Sequence, residues 1–363
     1  MRTKKPGYIL IITLMMVATA TFLVTQLFFV GTAYNNYTSF MLERESARTL
    51  ALSGIHIAMA QLSLQDTQLL KTSENKEEKK DQNKKDKKNP DQDKRNMLKT
   101  LLLVHDKWQT FTMTREADGF DAQIGICITC EFGKLNLNQL YDFKRKQFIT
   151  MNHNQTSEQF LKAIGTRIKP FVADQDFAEQ LITFIKKQYR PLITITELMK
   201  DKKLQSFKDS MWYIPPREIK EKKPENQDQK EPLYIQDLCT VYGDNYHIHP
   251  LFFSHSLKLI LGLKTDHFTK DQIEPLVEKI ALEGNKWETD WDTHLKNLYG
   301  KEYKALPLLD EITPYFSTKF EPNLFSVVCY GRVGRVEQKL LAILERFTVE
   351  KGEAIKIKTI YWM

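Results

Sequence analysis

Lys4-Lys5-Pro6-Gly7-Tyr8, with the uncharged run that follows it to Val30, decides how the rest of the chain is read. The charges before Gly7 are Arg2, Lys4 and Lys5, all basic, and Tyr8 to Val30 is 23 residues without a charge. A helix needs about 20 predominantly apolar residues to cross a bilayer, so the run is long enough. Basic residues favour the cytoplasmic face, which keeps the first seven residues there and puts everything after Val30 on the far side. Three fates fit such a segment. It is an uncleaved single-pass anchor, or a secretory signal cut after Ala18-Thr19-Ala20 to leave Thr21 as the mature end. Or it is cut between Gly7 and Tyr8 on the cytoplasmic side, which leaves the helix attached as a new N-terminus. The run from Phe22 to Val30 is as apolar as what precedes it, which speaks against the second.

Beyond Val30 the helix is expected to continue. Tyr34 and Tyr37 fall where aromatics favour the membrane interface. Ala47, Leu50, Ala51, Ala58 and Leu62 recur at three, four and seven residues, one helical face, so this part is expected half buried on a globular body. Lys71 to Arg95 then holds ten basic and seven acidic residues in 25, with no apolar side chain from Thr72 onward. Such a segment cannot bury a core and reads as a solvated, disordered insertion. Its signs are interleaved, so it makes no strong field for lipid or acidic partners.

Met97 to Phe111 reads as a short helix with Leu98, Leu101, Leu102 and Trp108 on one face. Phe120 to Phe132 alternates as a strand. On a strand, Cys127 and Cys130 point to opposite faces, and no second pair follows to complete a zinc site. Gly133-Lys134-Leu135-Asn136-Leu137-Asn138-Gln139-Leu140 reads as a strand-to-loop change, with Gly133 permitting the turn and the two asparagines bonding backbone groups. Residues 155 to 316 read mostly helical, with one apolar patch at Phe160, Leu161, Ile164 and Ile168 and another at Phe177, Leu181, Ile182 and Ile185. Pro215 to Pro232 is a second polar loop. Leu233 to Leu261 loosely echoes the Asn136 region, and His247, His249 and His255 in it are a weak metal candidate. The C-terminus returns to strands: Phe325 to Val333, Val336 to Phe347 with Gly334 near the bend, and Ala354 to Trp362.

Leader and helix resemble those of type IV pilins and type II secretion pseudopilins. Most of that superfamily has Glu as the fifth mature residue; here the position is Ile12, followed by Thr13. Its absence suits the K-type minor pseudopilin, which lacks that Glu. Arg48 followed by Leu50-Ala51-Leu52-Ser53-Gly54-Ile55-His56-Ile57-Ala58 is similar to that family's alanine-rich run. The segment Gly133 to Leu140 resembles the signature at which its chain leaves the sheet for an inserted domain. Glu197-Leu198 matches a family "E-L" pair that follows an aspartate-rich turn, but here the turn is Lys186-Lys187-Gln188.

The fold this implies is α+β: a long N-terminal transmembrane helix packed on an antiparallel pilin-like sheet, with an inserted all-helical domain. The expected divisions are a leader (1–7), the transmembrane and pilin helix (8–66), a charged insertion (71–95), a discontinuous pilin-like domain (97–133 plus 320–363) and the inserted domain (134–319). The resemblance implies a minor pseudopilin at the tip of a type II secretion pseudopilus, set in the inner membrane with its body in the periplasm. Its implied partners are other minor pseudopilins, the inner-membrane assembly platform and a prepilin peptidase. That peptidase would cut between Gly7 and Tyr8, with Lys4 and Lys5 as leader and N-methylation at Tyr8. Calcium is implied only through the family, since hard cations need several oxygen ligands; Asp174 and Asp176 are the candidates and no site is assigned.

Composition sets the outer limits. The 363 residues are 42% hydrophobic and 27% charged, enough for one large or two modest domains plus an anchor. Much of the lysine excess behind the net charge of +7 lies in the two polar segments, so no nucleic-acid partner is expected. Four cysteines are too few for a disulfide scaffold. No nucleotide-binding glycine loop, metalloprotease helix or serine-nucleophile elbow is present, and no residue is expected to be catalytic. Two other classes remain open: a membrane-anchored DNA-handling subunit of a competence-like pilus, and a secreted hydrolase starting at Thr21.

Overall fold

The computed structural model describes residues 6–63, 90–152, 155–171, 176–205, 207, 232–244, 247–279, 287–317, 319, 322–349 and 352–363. One helix, α1 (Pro6–Ser63), runs for 58 residues, about 87 Å at 1.5 Å per residue. Its first part packs against no other described residue: Tyr8, Phe28 and Leu42 are all strongly exposed. Its last part is bolted to the body through Ala47, Ala51, Ile55, Ala58 and Leu62, each at most 2% exposed. Their spacing of three and four residues keeps them on one face. The sequence stripe contains four of these five and omits Ile55.

The partner of α1 is a five-stranded antiparallel sheet. Its strands are β1 (Trp108–Met113), β2 (Ala122–Cys130), β3 (Leu324–Val333), β4 (Val336–Val349) and β5 (Gly352–Trp362), lying side by side in that order. Alternation sends Ile124, Ile126 and Ile128 of β2, Val327 and Cys329 of β3, and Leu340, Ala342 and Leu344 of β4 toward the core that α1 closes. The opposite face buries Leu324, Val328, Leu341 and Ile343 beneath Trp108, Phe132, Tyr242 and Tyr361. The turn joining β3 to β4 uses Gly334 at φ +57°, a conformation that favours glycine.

Small residues let α1 lie close. A Cβ on Gly331 would sit 2.1 Å from the Ala47 carbonyl oxygen and 2.7 Å from the Ala51 nitrogen, so the helix backbone rests directly on β3. Gly54 faces Cys329 in the same way, with the sulfur 3.1 Å from where its Cβ would be.

Strands β2 and β3 pair along their length, Cys130 opposite Phe325 and Ala122 opposite Val333, although almost two hundred residues separate them in sequence. Everything between is an insertion leaving one end of the sheet. That end lies beside Leu62, whose carbonyl accepts a hydrogen bond from Arg346 on β4. The helices of the insertion include α3 (Ser157–Ile168), α4 (Phe177–Lys187), α5 (His255–Leu261), α6 (Lys270–Lys279) and α7 (Asp292–Tyr299). All four apolar positions expected in each of α3 and α4 are buried. The insertion is not all-helical, however. Leu135–Asn136 pairs in parallel with Cys239–Thr240, and two short antiparallel ladders follow, at 141–148 and 150–156. Backbone groups close to a domain junction need partners, and here short ladders supply them where no helix fits.

A second helix of the body differs from its expected extent. The helix α2 spans Pro90–Val104, so it takes in the last residues of the expected charged insertion; residues 64–89 lie outside the described set. It ends well before Phe111. Asp106 adopts a left-handed backbone (φ 57°) and donates its N–H to the Ile128 carbonyl, which turns the chain into β1. Trp108 therefore opens a strand rather than continuing the face of Leu98, Leu101 and Leu102.

Candidate membrane helix and domain junction

Lys4 and Lys5 lie outside the described residues, and Gly7 falls in the first turn of α1. Tyr8 is 69% exposed and Ile12 also faces outward. The Thr13 hydroxyl folds back onto its own helix, donating to the carbonyls of Ile9 (3.0 Å) and Leu10 (2.9 Å). Thr19, Thr21, Thr25 and Thr32 each donate to the carbonyl four residues earlier at 2.8 Å. These threonine hydroxyls are thus satisfied within the helix, as a lipid environment demands. Among the described residues, α1 is the one helix long and apolar enough to cross a membrane.

Where the chain leaves the sheet, a buried polar cluster holds the insertion. Lys134 and Glu131, both almost fully buried, pair at 2.7 Å, and Lys134 also donates to the Ser326 hydroxyl at 2.6 Å. The Thr240 hydroxyl donates to the other Glu131 oxygen, and Ser326 shares a 2.6 Å hydrogen bond with Thr129. Both charges are therefore matched and hydrogen-bonded, the condition under which a buried pair is tolerable. Sheet strands β2 and β3 and the returning segment at Thr240 meet in this one cluster.

The residues from Gly133 onward serve the same junction. Gly133 is not in a left-handed conformation, contrary to the expectation of a turn glycine; a Cβ there would fall 1.5 Å from the Phe252 carbonyl oxygen. Its role is to let the segment before α5 close on it, where His249 and Ser254 donate their N–H groups to the carbonyls of Phe132 (2.7 Å) and Gly133 (3.2 Å). The Asn136 side chain donates to the carbonyls of Tyr242 (3.0 Å) and Gly243 (2.9 Å) and accepts from the Asn138 N–H. Asn138 donates to Leu192 (2.8 Å) and Val241 (2.7 Å) and accepts the Leu192 N–H at 2.8 Å. Two amides thus tie together three segments of the insertion, the expected backbone bonding at longer range than a local turn.

A second tie joins the α2–β1 corner to α5. Asp106 and Lys258, both buried, pair at 2.7 Å. Burial alone would raise the Asp106 carboxyl, but Lys258 and the other neighbouring groups together hold it below its ordinary value. Burial, with Asp106 nearby, pushes Asp237 the other way, although its carboxylate accepts the Ser256 N–H at 2.7 Å. Burial takes His105 down to about 3, so it is neutral at ordinary pH. This second tie has no sequence signal: Asp106 and Lys258 are 152 residues apart.

The remaining candidates do not converge. His249 accepts the Leu251 N–H and packs against Phe252 and Trp291, while His255 opens α5 and His247 precedes both. Among the described residues no group of three or more metal-binding side chains gathers. Asp176 caps α4 by accepting the Glu179 N–H (3.1 Å), and Asp174 lies outside the described residues. All four cysteines are buried free thiols, and burial pushes Cys130 and Cys239 up to about 12.

No protein-family model matches the chain, and no curated protein matches it. Among solved structures it is similar to a chain in the GspK-GspI-GspJ complex from the enterotoxigenic Escherichia coli type 2 secretion system. The identity is 13% and the TM-score 0.40, over 92% of this chain and 98% of that one.

Proposed function

We infer that this chain is a membrane-anchored pilin-like subunit and, more narrowly, a minor pseudopilin of a type II secretion system, seated at the tip of its pseudopilus. The observation that carries the reading is α1: one unbroken helix, its first part uncharged and unpacked, its last part fixed to an antiparallel sheet. A detachable signal has no need of continuity with the body. A subunit drawn out of a bilayer and into a filament does, because the same helix must transmit force to the body and pack against neighbouring helices. Gly7 and Tyr8 are the cleavage and methylation positions for a prepilin peptidase. Ile12 and Thr13 leave no carboxylate in hydrocarbon, where burial without a partner is costly. That suits a subunit with nothing above it. The insertion stands at the far end of α1 and blocks further addition there. Other minor pseudopilins and the inner-membrane assembly platform are its partners, the membrane is the inner membrane, and the process served is protein export.

The test is the mature N-terminus, measured by mass spectrometry on protein purified from membranes of the cells that make it. N-methylated Tyr8 is the expected end. A chain beginning at Thr21 in the soluble fraction would sink the proposal, and an intact Met1 in cells with an active prepilin peptidase would reduce it to a plain anchor.

A further inference from the structure

We propose that the loop at 188–193, with the hairpin tip at 144–146 beside it, is a docking surface for an acidic protein partner. Outside α1, Tyr189 and Ile193 are the two most exposed large apolar side chains among the described residues, at 80% and 63%. Scattered single apolar residues on a surface need no explanation, but two on one short loop, both lifted into solvent, do.

The loop is held rigidly. Leu192, between them, is buried, and its N–H and carbonyl are both clamped by the Asn138 side chain at 2.8 Å. Glu197 accepts the Ile193 N–H at 3.2 Å and pairs with Arg190 at 3.5 Å. The half-buried Asn138 and the buried Glu197 thus fix a loop that displays an aromatic and an aliphatic side chain. Binding through it incurs little ordering cost, and a rigid aromatic is a common interface anchor.

Charge identifies the partner. Lys186 and Lys187 lead into the loop. The hairpin with Lys144, Arg145 and Lys146 at its tip packs by its foot against the end of α4 that leads into the loop, the Lys186 ammonium lying 5.5 Å from the centre of the Phe148 ring. Three nearby acids are engaged: Asp142 by the N–H groups of Lys144 and Arg145, Glu158 by Lys162 and Lys186, and Glu197 within the loop. Among the described residues no carboxylate pairs with Lys144, Lys146 or Lys187. The surface is therefore apolar at its centre and positive around it, which matches an acidic surface with an apolar recess and repels a second copy of itself.

Anionic lipid is the other chemistry that fits, and α1 argues against it. The insertion departs beside Leu62, which lies about 48 Å along the helix from Val30. This step rests on α1 spanning the membrane.

The test is photo-crosslinking in the cells that make the protein, using the full chain with a photoreactive amino acid replacing Tyr189, Ile193 or, as control, exposed Asp271 on α6. Mass spectrometry then identifies the crosslinked peptide. One protein, captured through a segment rich in Asp and Glu from both loop positions and not from 271, is expected. The yield from position 193 should fall about tenfold in Lys144→Glu/Lys187→Glu and in Tyr189→Ser, as for loss of a central anchor or its complementary charge. Crosslinks to lipid alone, to a second copy alone, or to nothing would overturn the proposal, as would a yield indifferent to the charge reversal. Fractionation of the same cells separates the two readings. A soluble chain counts against the anchor, whereas a membrane-bound chain lacking the crosslink counts against the docking surface.

Discussion

Replacing Gly331 with alanine tests whether α1 is seated on the sheet by direct backbone contact. The new Cβ would lie 2.1 Å from the Ala47 carbonyl oxygen, 2.7 Å from the Ala51 nitrogen and 2.9 Å from the Leu50 Cβ. Two of the three are backbone atoms of the helix, so no rotamer change relieves the clash and α1 itself must lift. Overpacking usually costs about 1–3 kcal/mol, and with no flexible neighbour to yield, the upper end, about 3 kcal/mol, is expected. Gly54→Ala is the internal control. Its Cβ would meet Cys329 Sγ at 3.1 Å and Cys329 Cβ at 3.3 Å, a tight contact with a side chain. The gain of about 1 kcal/mol in helix propensity offsets much of that, so the net change should be under about 1 kcal/mol. Thermal unfolding of the full chain in detergent, followed by tryptophan fluorescence, reads both; for a chain of 363 residues 3 kcal/mol corresponds to roughly 4 °C. Adding Ala47→Gly to Gly331→Ala should restore nothing, because the obstacle is a carbonyl and not a methyl group. A Gly331→Ala protein that melts with the wild type, or one rescued by Ala47→Gly, would refute the backbone-contact argument.

Lys134→Met leaves Glu131 buried without its cation and should destabilise by about 3–5 kcal/mol in urea titrations, whereas Lys134→Met/Glu131→Leu should recover most of the loss; equal loss in both would discount the ion pair. Asp237→Asn keeps an acceptor for the Ser256 N–H while removing a carboxyl that burial pushes up. A raised carboxyl binds protons more tightly folded than unfolded, so wild-type stability falls as pH rises from its ordinary value through its folded one. The variant should lack that decline and gain on the wild type toward neutral pH; parallel stability curves from pH 4 to 8 would count against an acid held protonated there.

The parts legible in the sequence were those in which pattern and partner are local. The uncharged run gives α1 its exposed part, and the recurrence of alanines gives its packed face, because an amphipathic helix carries its own register. The same holds for α3 and α4, whose apolar positions all turn inward. Local reading failed where a periodic pattern ran past its cause. Leu98, Leu101 and Leu102 are helical, and Trp108 continues their spacing by accident, since one left-handed residue at Asp106 ends the helix between them. Gly133 shows a related failure: glycine suggests a turn, but what required it was the Phe252 carbonyl, more than a hundred residues away.

The least legible region is also the one on which the architecture turns. An insertion placed between two adjacent strands has only two covalent connections to the sheet, both at one end, so its orientation must be fixed by contacts that sequence proximity cannot supply. Here those contacts are polar and specific: Thr240 with the Glu131 carboxylate that Lys134 neutralises, Asp106 with Lys258, and Arg95 on α2 donating to the carbonyls of Val277 and Glu278 at the end of α6. Apolar packing alone tolerates sliding, whereas a buried charge must meet its partner or forfeit several kcal/mol. Two such buried pairs, with the half-buried Arg95 as a third polar contact, leave the insertion one seat on the body. Asn138 extends this order outward, since the amide that closes the junction against Val241 also clamps Leu192. The rigidity of the exposed loop at Tyr189 and Ile193 is thereby continuous with the rigidity of the junction.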